Sequence, residues 1–215
     1  MSGKWPGGII SKTAPTVTGP TEGEGGSASG IWTLDQAADY EKQGLWPKPV
    51  TPRELWMWGE NNKGQLGLGN TTNYSSPKQV GALTDWKTMA GGEESSIAIK
   101  SDGTLWTWGI GTSGVLGHGN TTSLSSPVQV GALTDWLVAA GSRNSTYVVK
   151  TDGTLWSFGG NGYGQLGLSN TTYFSSPVQV GALTTWLNVA CGLYWAVATK
   201  TDGTLWSWGW NDKGQ

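Results

Sequence analysis

Charge is scarce in this chain: 13 basic and 15 acidic residues among 215 leave a net charge of −2. A surface that neutralises phosphates needs an excess of Lys and Arg, so nucleic acid is excluded as an expected partner. One cysteine and one histidine provide no disulfide framework and no Cys/His metal cluster. Catalysis by a Cys/His or Ser/His pair has only His118 to draw on, and no metal or other cofactor is expected. No stretch approaches 18 apolar residues, and the opening residues lack the apolar run of a signal peptide. A membrane partner is therefore not expected. What is abundant is glycine, at 35 residues, and tryptophan, at 15, within a hydrophobic content of 36%, enough to bury a core.

The tryptophans mark a repeat. Leu55-Trp56, Leu105-Trp106, Leu155-Trp156 and Leu205-Trp206 recur every 50 residues, accompanied by Gly64, Gly114, Gly164 and Gly214. Each unit then carries Asn-Thr-Thr (from Asn70, Asn120 and Asn170), Ser-Ser-Pro (ending at Pro77, Pro127 and Pro177), Gln-Val-Gly-Ala-Leu-Thr (from Gln79, Gln129 and Gln179) and Trp86, Trp136 or Trp186. Within a unit, Ser96-Ile97-Ala98-Ile99-Lys100 and Thr104-Leu105-Trp106-Thr107-Trp108 alternate around Asp102-Gly103, the signature of a type I′ hairpin. Two more short strands are expected around Val80 and over residues 86–90, divided by the Gly-Ala-Leu-Thr turn. Four antiparallel strands per unit are the content of one propeller blade.

Leu-Trp-x-Trp-Gly-x-Asn-x-x-Gly-Gln-Leu-Gly-Leu-Gly, read over residues 55–69, with Pro77, Val80, Trp86, Ala90, Gly92 and Asp102-Gly103, resembles the regulator of chromosome condensation repeat. That resemblance covers residues 54–215 and implies an all-β fold, a partial β-propeller with three complete four-stranded antiparallel blades. Read in the family's frame, from Gly-Gln-Leu-Gly to Trp-x-Trp-Gly and from innermost to outermost strand, the blades span about 60–109, 110–159 and 160–209. Residues 54–59 are then an orphan outer strand, and the strands that complete its sheet are expected beyond Gln215 or from another copy. A seven-bladed parent of this repeat length would have roughly 400 residues. The family usually places a His shortly after Ala-Gly-Gly, where this chain has Ser95, Ser145 and Trp195.

Residues 1–50 differ from the rest. Residues 1–30 are rich in Gly, Pro, Ser and Thr without periodicity, and read as an extended arm for docking or linkage. Thr33 as N-cap, with Gln36 three residues on and Gly44 as C-cap, predicts a short helix over about 34–43. Residues 29–34 and 44–47 resemble a short element of marine tailed-phage structural proteins, which implies a virion location, with the cytoplasm as the alternative.

Differences between the repeats locate the candidate site. Loops on one face of an up-and-down sheet set, Gly-Ala-Leu-Thr and Asp-Gly, hardly vary. The other face holds Glu93, Glu94, Arg143, Asn144, Leu193, Tyr194, Trp195 and, at a blade exit, Trp210. Framework is duplicated while recognition residues diverge, so this face is the candidate binding face. The partners expected there are proteins, either virion subunits or further copies of the chain. Glycan stacking on Tyr194, Trp195 and Trp210 is an alternative, and the resemblance implies a third, regulation of a small GTPase by nucleotide exchange. No pair of carboxylates or triad stands out from the repeat, so no enzyme activity is expected.

Overall fold

A computed structural model describes residues 53–215, and the expected arm and helix over 34–43 lie outside them. The described residues form β1 (Trp56–Gly59), β2 (Tyr74–Gln79), β3 (Trp86–Gly91), β4 (Ser95–Lys100), β5 (Leu105–Gly109), β6 (Leu124–Gln129), β7 (Trp136–Gly141), β8 (Ser145–Lys150), β9 (Leu155–Gly159), β10 (Phe174–Gln179), β11 (Trp186–Cys191), β12 (Trp195–Lys200) and β13 (Leu205–Gly209). Every pairing between them is antiparallel, as expected of propeller sheets.

The sheets are β3-β4-β5-β6 and β7-β8-β9-β10, each four-stranded, flanked by a two-stranded β1-β2 and a three-stranded β11-β12-β13. This shifts the expected blade boundaries by one strand. The Ser-Ser-Pro strand does not begin a new sheet with the tryptophan strand that follows it. It turns back across the preceding Leu-Trp-x-Trp-Gly strand, with Trp56 opposite Gln79 and Val80 N–H donating to Leu55 C=O at 2.8 Å. Residues 54–59 are therefore not an orphan, and two sheets rather than three are complete among the described residues. The innermost strands are β3, β7 and β11, which neighbour one another, while β6 and β10 form outer edges. An outer edge suits Pro127 and Pro177, which have no N–H to offer a further strand.

Sheets stack face to face, and the core lies in the junctions. Leu55, Val80, Trp86, Ala98 and Trp108 fill the first, and Ile97, Ile99, Leu105, Val130, Trp136, Val148 and Phe158 the second. Tyr147, Val149, Leu155, Trp186, Val189, Ala196 and Ala198 fill the third. A strand in the middle of the stack is covered on both faces, so all six residues of β8 are buried. Its polar members are satisfied locally: Thr146 Oγ1 donates to Val115 C=O at 2.9 Å and Ser145 Oγ to Gly160 C=O at 2.7 Å.

The Asp-Gly hairpins differ in detail from the type I′ expectation. Gly103 N–H donates to Lys100 C=O at 3.0 Å, and only Gly103, at φ +77°, enters the left-handed region, as in a three-residue loop with a bulge. Asp102, Asp152 and Asp202 fold back on the chain: Asp152 Oδ1 accepts from Thr154 N–H at 2.9 Å and Thr154 Oγ1 at 2.7 Å. Those hydrogen bonds hold the Asp152 carboxyl below the usual carboxylate range. Its stabilising effect is thus complete above the unfolded-state value, about 4, and fades as pH falls through the lower folded value. Carboxyl NMR titration should show Asp152 titrating below a model peptide in the native protein and returning toward it in Thr154→Val. A native Asp152 that titrates like the peptide contradicts the turn's role.

Each long loop after a Leu-Trp-x-Trp-Gly strand reaches forward onto the next sheet. Gly69 N–H donates to Ser125 C=O and Gly119 N–H to Ser175 C=O, both at 2.7 Å. The Gln65 carbonyl, part of the same loop, accepts the Trp108 indole N–H at 2.8 Å. At the hairpin end, Lys100, Lys150 and Lys200 lie over pairs of tryptophan rings. Lys150 Nζ is 4.9 Å from the Trp136 centroid and 4.6 Å from that of Trp156. No helix among the described residues is long and apolar enough to cross a membrane.

Candidate functional site

The loops β3–β4, β7–β8 and β11–β12 emerge at the end of the stack opposite the Asp-Gly hairpins. Each is tied to its own sheet's exit by a backbone bond. Ile110 N–H donates to Glu94 C=O at 2.9 Å, Gly160 N–H to Asn144 C=O at 2.7 Å, and Trp210 N–H to Tyr194 C=O at 3.0 Å. Divergent side chains therefore sit on a rigid backbone frame repeated three times.

Five of those side chains form a continuous line across three sheets. Glu93 Oε2 meets Arg143 Nε at 3.1 Å, and Arg143 Nη1 donates to the Tyr194 hydroxyl at 3.2 Å. Tyr194 packs on Tyr163 with ring centroids 5.0 Å apart and on Trp210 at 5.7 Å, edge to face. Tyr163 and Trp210 close the cluster at 5.4 Å, only 31° from parallel. Edge-to-face and offset arrangements align the ring quadrupoles favourably. Tyr163 is 52% exposed and Trp210 37%, so the line ends in an aromatic surface open to a partner. Leu193 is exposed beside it.

The remaining expected residues are placed differently. Glu94 and Asn144 are half-buried and act here through the carbonyls described above. Trp195 occupies the position of Ser95 and Ser145, opposite Gly209, and is half-buried. Its indole covers Gly192, where an added Cβ would lie 2.3 Å from Nε1. With Trp208 and Trp210 it lines a cleft of about 380 Å³. Tyr163 was absent from the expected set. Positions 63, 113, 163 and 213 read Lys, Ser, Tyr and Lys, so the same divergence between repeats extends to the long loop.

Few groups nearby have the chemistry of a reaction centre. Among the described residues no three His, Cys, Asp or Glu side chains come together. Cys191 packs against the third junction, and burial pushes its thiol up to about 11, away from the reactive thiolate. His118 shares a 2.9 Å hydrogen bond with Thr107 Oγ1, and partial burial lowers its pKa, favouring the neutral ring. Trp86, Trp108, Trp136, Trp186, Tyr147 and Phe158 are buried between sheets, whereas the repeated Trp56, Trp58 and Trp206 are exposed.

Comparison with known proteins follows the same residues. The regulator of chromosome condensation (RCC1) repeat profile matches residues 54–99, 102–149 and 152–198, and a second profile of the same repeat matches 137–165 and 186–215. The zebrafish (Danio rerio) protein RCC2 homolog is 37% identical over 57 residues, 26% of this chain and 12% of that protein. Prp20p of Saccharomyces cerevisiae superposes with a TM-score of 0.66 at 23% identity, over 75% of this chain and 42% of that one. Human WBSCR16 gives 0.64 at 20% identity, over 73% and 42%. The chain thus spans about two fifths of the solved structures it matches, and the superposition shows that it shares their fold. It belongs to the regulator of chromosome condensation (RCC1) repeat family.

Proposed function

We propose that this chain is a non-enzymatic propeller module that presents the Glu93, Arg143, Tyr194, Tyr163 and Trp210 line to a protein partner. The observation that carries the reading is the line itself. Its members differ from repeat to repeat, come from three sheets, and include the Tyr, Trp and Arg types that dominate binding energy at protein interfaces. The backbone beneath them is fixed by repeated bonds, which lowers the ordering cost of association. In this reading residues 1–50 attach the module to a larger assembly. The short resemblance to phage structural proteins supports a virion as that assembly.

Photo-cross-linking tests the proposal. A benzophenone amino acid in place of Tyr194 should trap a discrete partner in extracts of the source cells or particles, and the same probe in place of Asp152, at the opposite end, should not. Tyr194→Ala should weaken that association by about 30-fold, the effect of losing a hot-spot residue of about 2 kcal/mol. Arg143→Ala should change folding stability by no more than about 0.5 kcal/mol, since its ion pair with Glu93 is half exposed on both sides. Equal trapping from both ends would overturn the assignment.

A second reading is regulation of a small GTPase. It is supported by the fold shared with yeast Prp20p, whose structure was determined together with its binding to Gsp1p and histones. Accelerated GDP release from a small GTPase would favour this reading, and an unchanged rate would leave the display reading.

A further inference from the structure

The three long loops occupy equivalent places, yet the middle one is held by different bonds. In the first, Asn61 Oδ1 accepts Leu66 N–H at 2.8 Å, Asn61 Nδ2 donates to Asn70 C=O at 3.0 Å, and Gln65 Oε1 accepts Lys63 N–H at 2.9 Å. The third repeats all three through Asn161 and Gln165, at 2.9, 2.8 and 2.8 Å. The middle loop has Gly111 and Val115 at those positions, whose side chains can make none of them. Its backbone departs accordingly: Thr112–Gly114 form a single 3-10 turn, and Ser113, at φ +62°, enters the left-handed region that a side chain disfavours. The forward seat on β10 is kept, with Gly119 N–H donating to Ser175 C=O at 2.7 Å. What the middle loop lacks is bracing of its own.

One residue supplies a replacement. His118 stands where the other repeats have Leu68 and Leu168, is half-buried, and places Nε2 2.9 Å from Thr107 Oγ1 on β5. The direction of that bond follows from its neighbour. Thr107 is fully buried and directs its single hydroxyl proton to Leu116 C=O at 2.7 Å, so its oxygen accepts and the ring donates. The neutral ring therefore carries its proton on Nε2, and acid adds a second at Nδ1. The product is a half-buried cation without a counter-charge. The loop itself, β5, β6, β9 and β10 contain no other titratable side chain. From β8, Thr146 donates to Val115 C=O in the loop, while Tyr147 is turned to Gln165 C=O and Lys150 lies at the hairpin end over Trp136 and Trp156.

We propose that His118 is a pH-operated latch: neutral, it pins the middle long loop to β5, and protonated, it lets the loop open. Partial burial holds the ring's pKa below the ordinary histidine value of about 6.5. The contribution of the neutral ring is thus complete above about 6.5 and is lost as pH falls through the lower folded value. The consequence reaches the divergent face. Ser113 lies there beside Asn144 and Gly160: an added Cβ on Gly160 would come 3.2 Å from Asn144 Cβ and 3.6 Å from Ser113 Cβ. Opening the loop takes Ser113 out of that face. An effect on partner binding rests on the display reading, whereas the latch itself does not.

Gly67 and Gly117 are matched reporters. Each donates its N–H to the carbonyl of the glycine three residues earlier, Gly64 or Gly114, at 3.0 Å, and each is covered by an aromatic ring, Trp108 or Phe158. Amide hydrogen exchange of the full 215-residue chain, corrected for intrinsic chemistry, should show protection at Gly117 falling several-fold more than at Gly67 between about pH 7.5 and about pH 5.5. His118→Leu, the residue of the other repeats, confirmed folded by near-UV circular dichroism, should abolish that difference. Nitrogen NMR of the unmodified protein should show the His118 ring as the Nε2–H tautomer at neutral pH, a readout that needs no variant. A pH response equal at the two glycines, one that persists in His118→Leu, or an Nδ1–H tautomer would overturn the inference.

Discussion

Trp136→Ala is expected to lower unfolding stability by about 3–5 kcal/mol, the range for truncating a large buried aromatic. Trp136 is 2% exposed and lies in the middle junction, edge to face with Trp156 at 6.0 Å and 86°. Lys150 adds to the effect. Its side chain is almost fully buried, lies over both rings, and reaches Asp135 Oδ2 at 3.3 Å. Removing the indole takes one face of the cation's environment and leaves a buried ammonium against a void, which a neutral core would not do. One feature pulls the other way: the Trp136 indole N–H is buried without an acceptor, so its removal relieves a polar group left unsatisfied. Trp136→Phe separates the two effects, keeping most of the packing and deleting the orphan donor, and should cost clearly less than the alanine change. Urea unfolding monitored by circular dichroism gives both values from midpoint shifts at constant slope. A shift below about 1 kcal/mol for Trp136→Ala would show that the junction relaxes around the loss.

Two glycines of identical sequence context should respond very differently to alanine. Gly153 and Gly203 both follow Asp in the hairpin and both have left-handed φ, +77° and +83°. A Cβ at Gly203 meets nothing within 4 Å, so Gly203→Ala carries only the conformational penalty of about 1–2 kcal/mol. At Gly153 the added carbon would lie 2.2 Å from Thr184 C=O, a main-chain atom of the connection leading to β11. That connection is anchored by Trp186 N–H donating to Gly153 C=O at 3.0 Å, so it cannot retreat without breaking the bond. Gly153→Ala should therefore cost the same penalty plus about 1–3 kcal/mol for overpacking. Equal midpoints for the two variants would show that the connection is not held against the hairpin.

The glycine pair also shows where sequence reading ends. The fifty-residue period, the Asp-Gly hairpins and the packing role of Trp86, Trp136 and Trp186 were legible, because they rest on local spacing and on residue types with strong preferences. Sheet membership was not. The Tyr-Ser-Ser-Pro-Lys-Gln strand is mostly exposed, follows a long loop, and stands close in sequence to Trp86, so proximity suggested a partner that the backbone does not choose. The strand instead pairs back across the long loop, Trp56 opposite Gln79, a contact with no local signature. Among site residues, divergence between repeats pointed to Glu93, Arg143, Tyr194 and Trp210. Tyr163 needed the fold, which swings the long loop of one sheet beneath the short loop of the next.

That forward-reaching loop has a consequence for how such a chain changes over generations. The first two loops each find the equivalent serine of the next unit, Ser125 for Gly69 and Ser175 for Gly119. Recombination between misaligned repeats, which adds or drops one period, therefore creates a seam built from contacts the molecule already makes. Such an event alters how many sheets are stacked and which divergent loops stand side by side. New recognition surfaces can thus arise by shuffling whole sheets, with the side chains that bury the core left untouched.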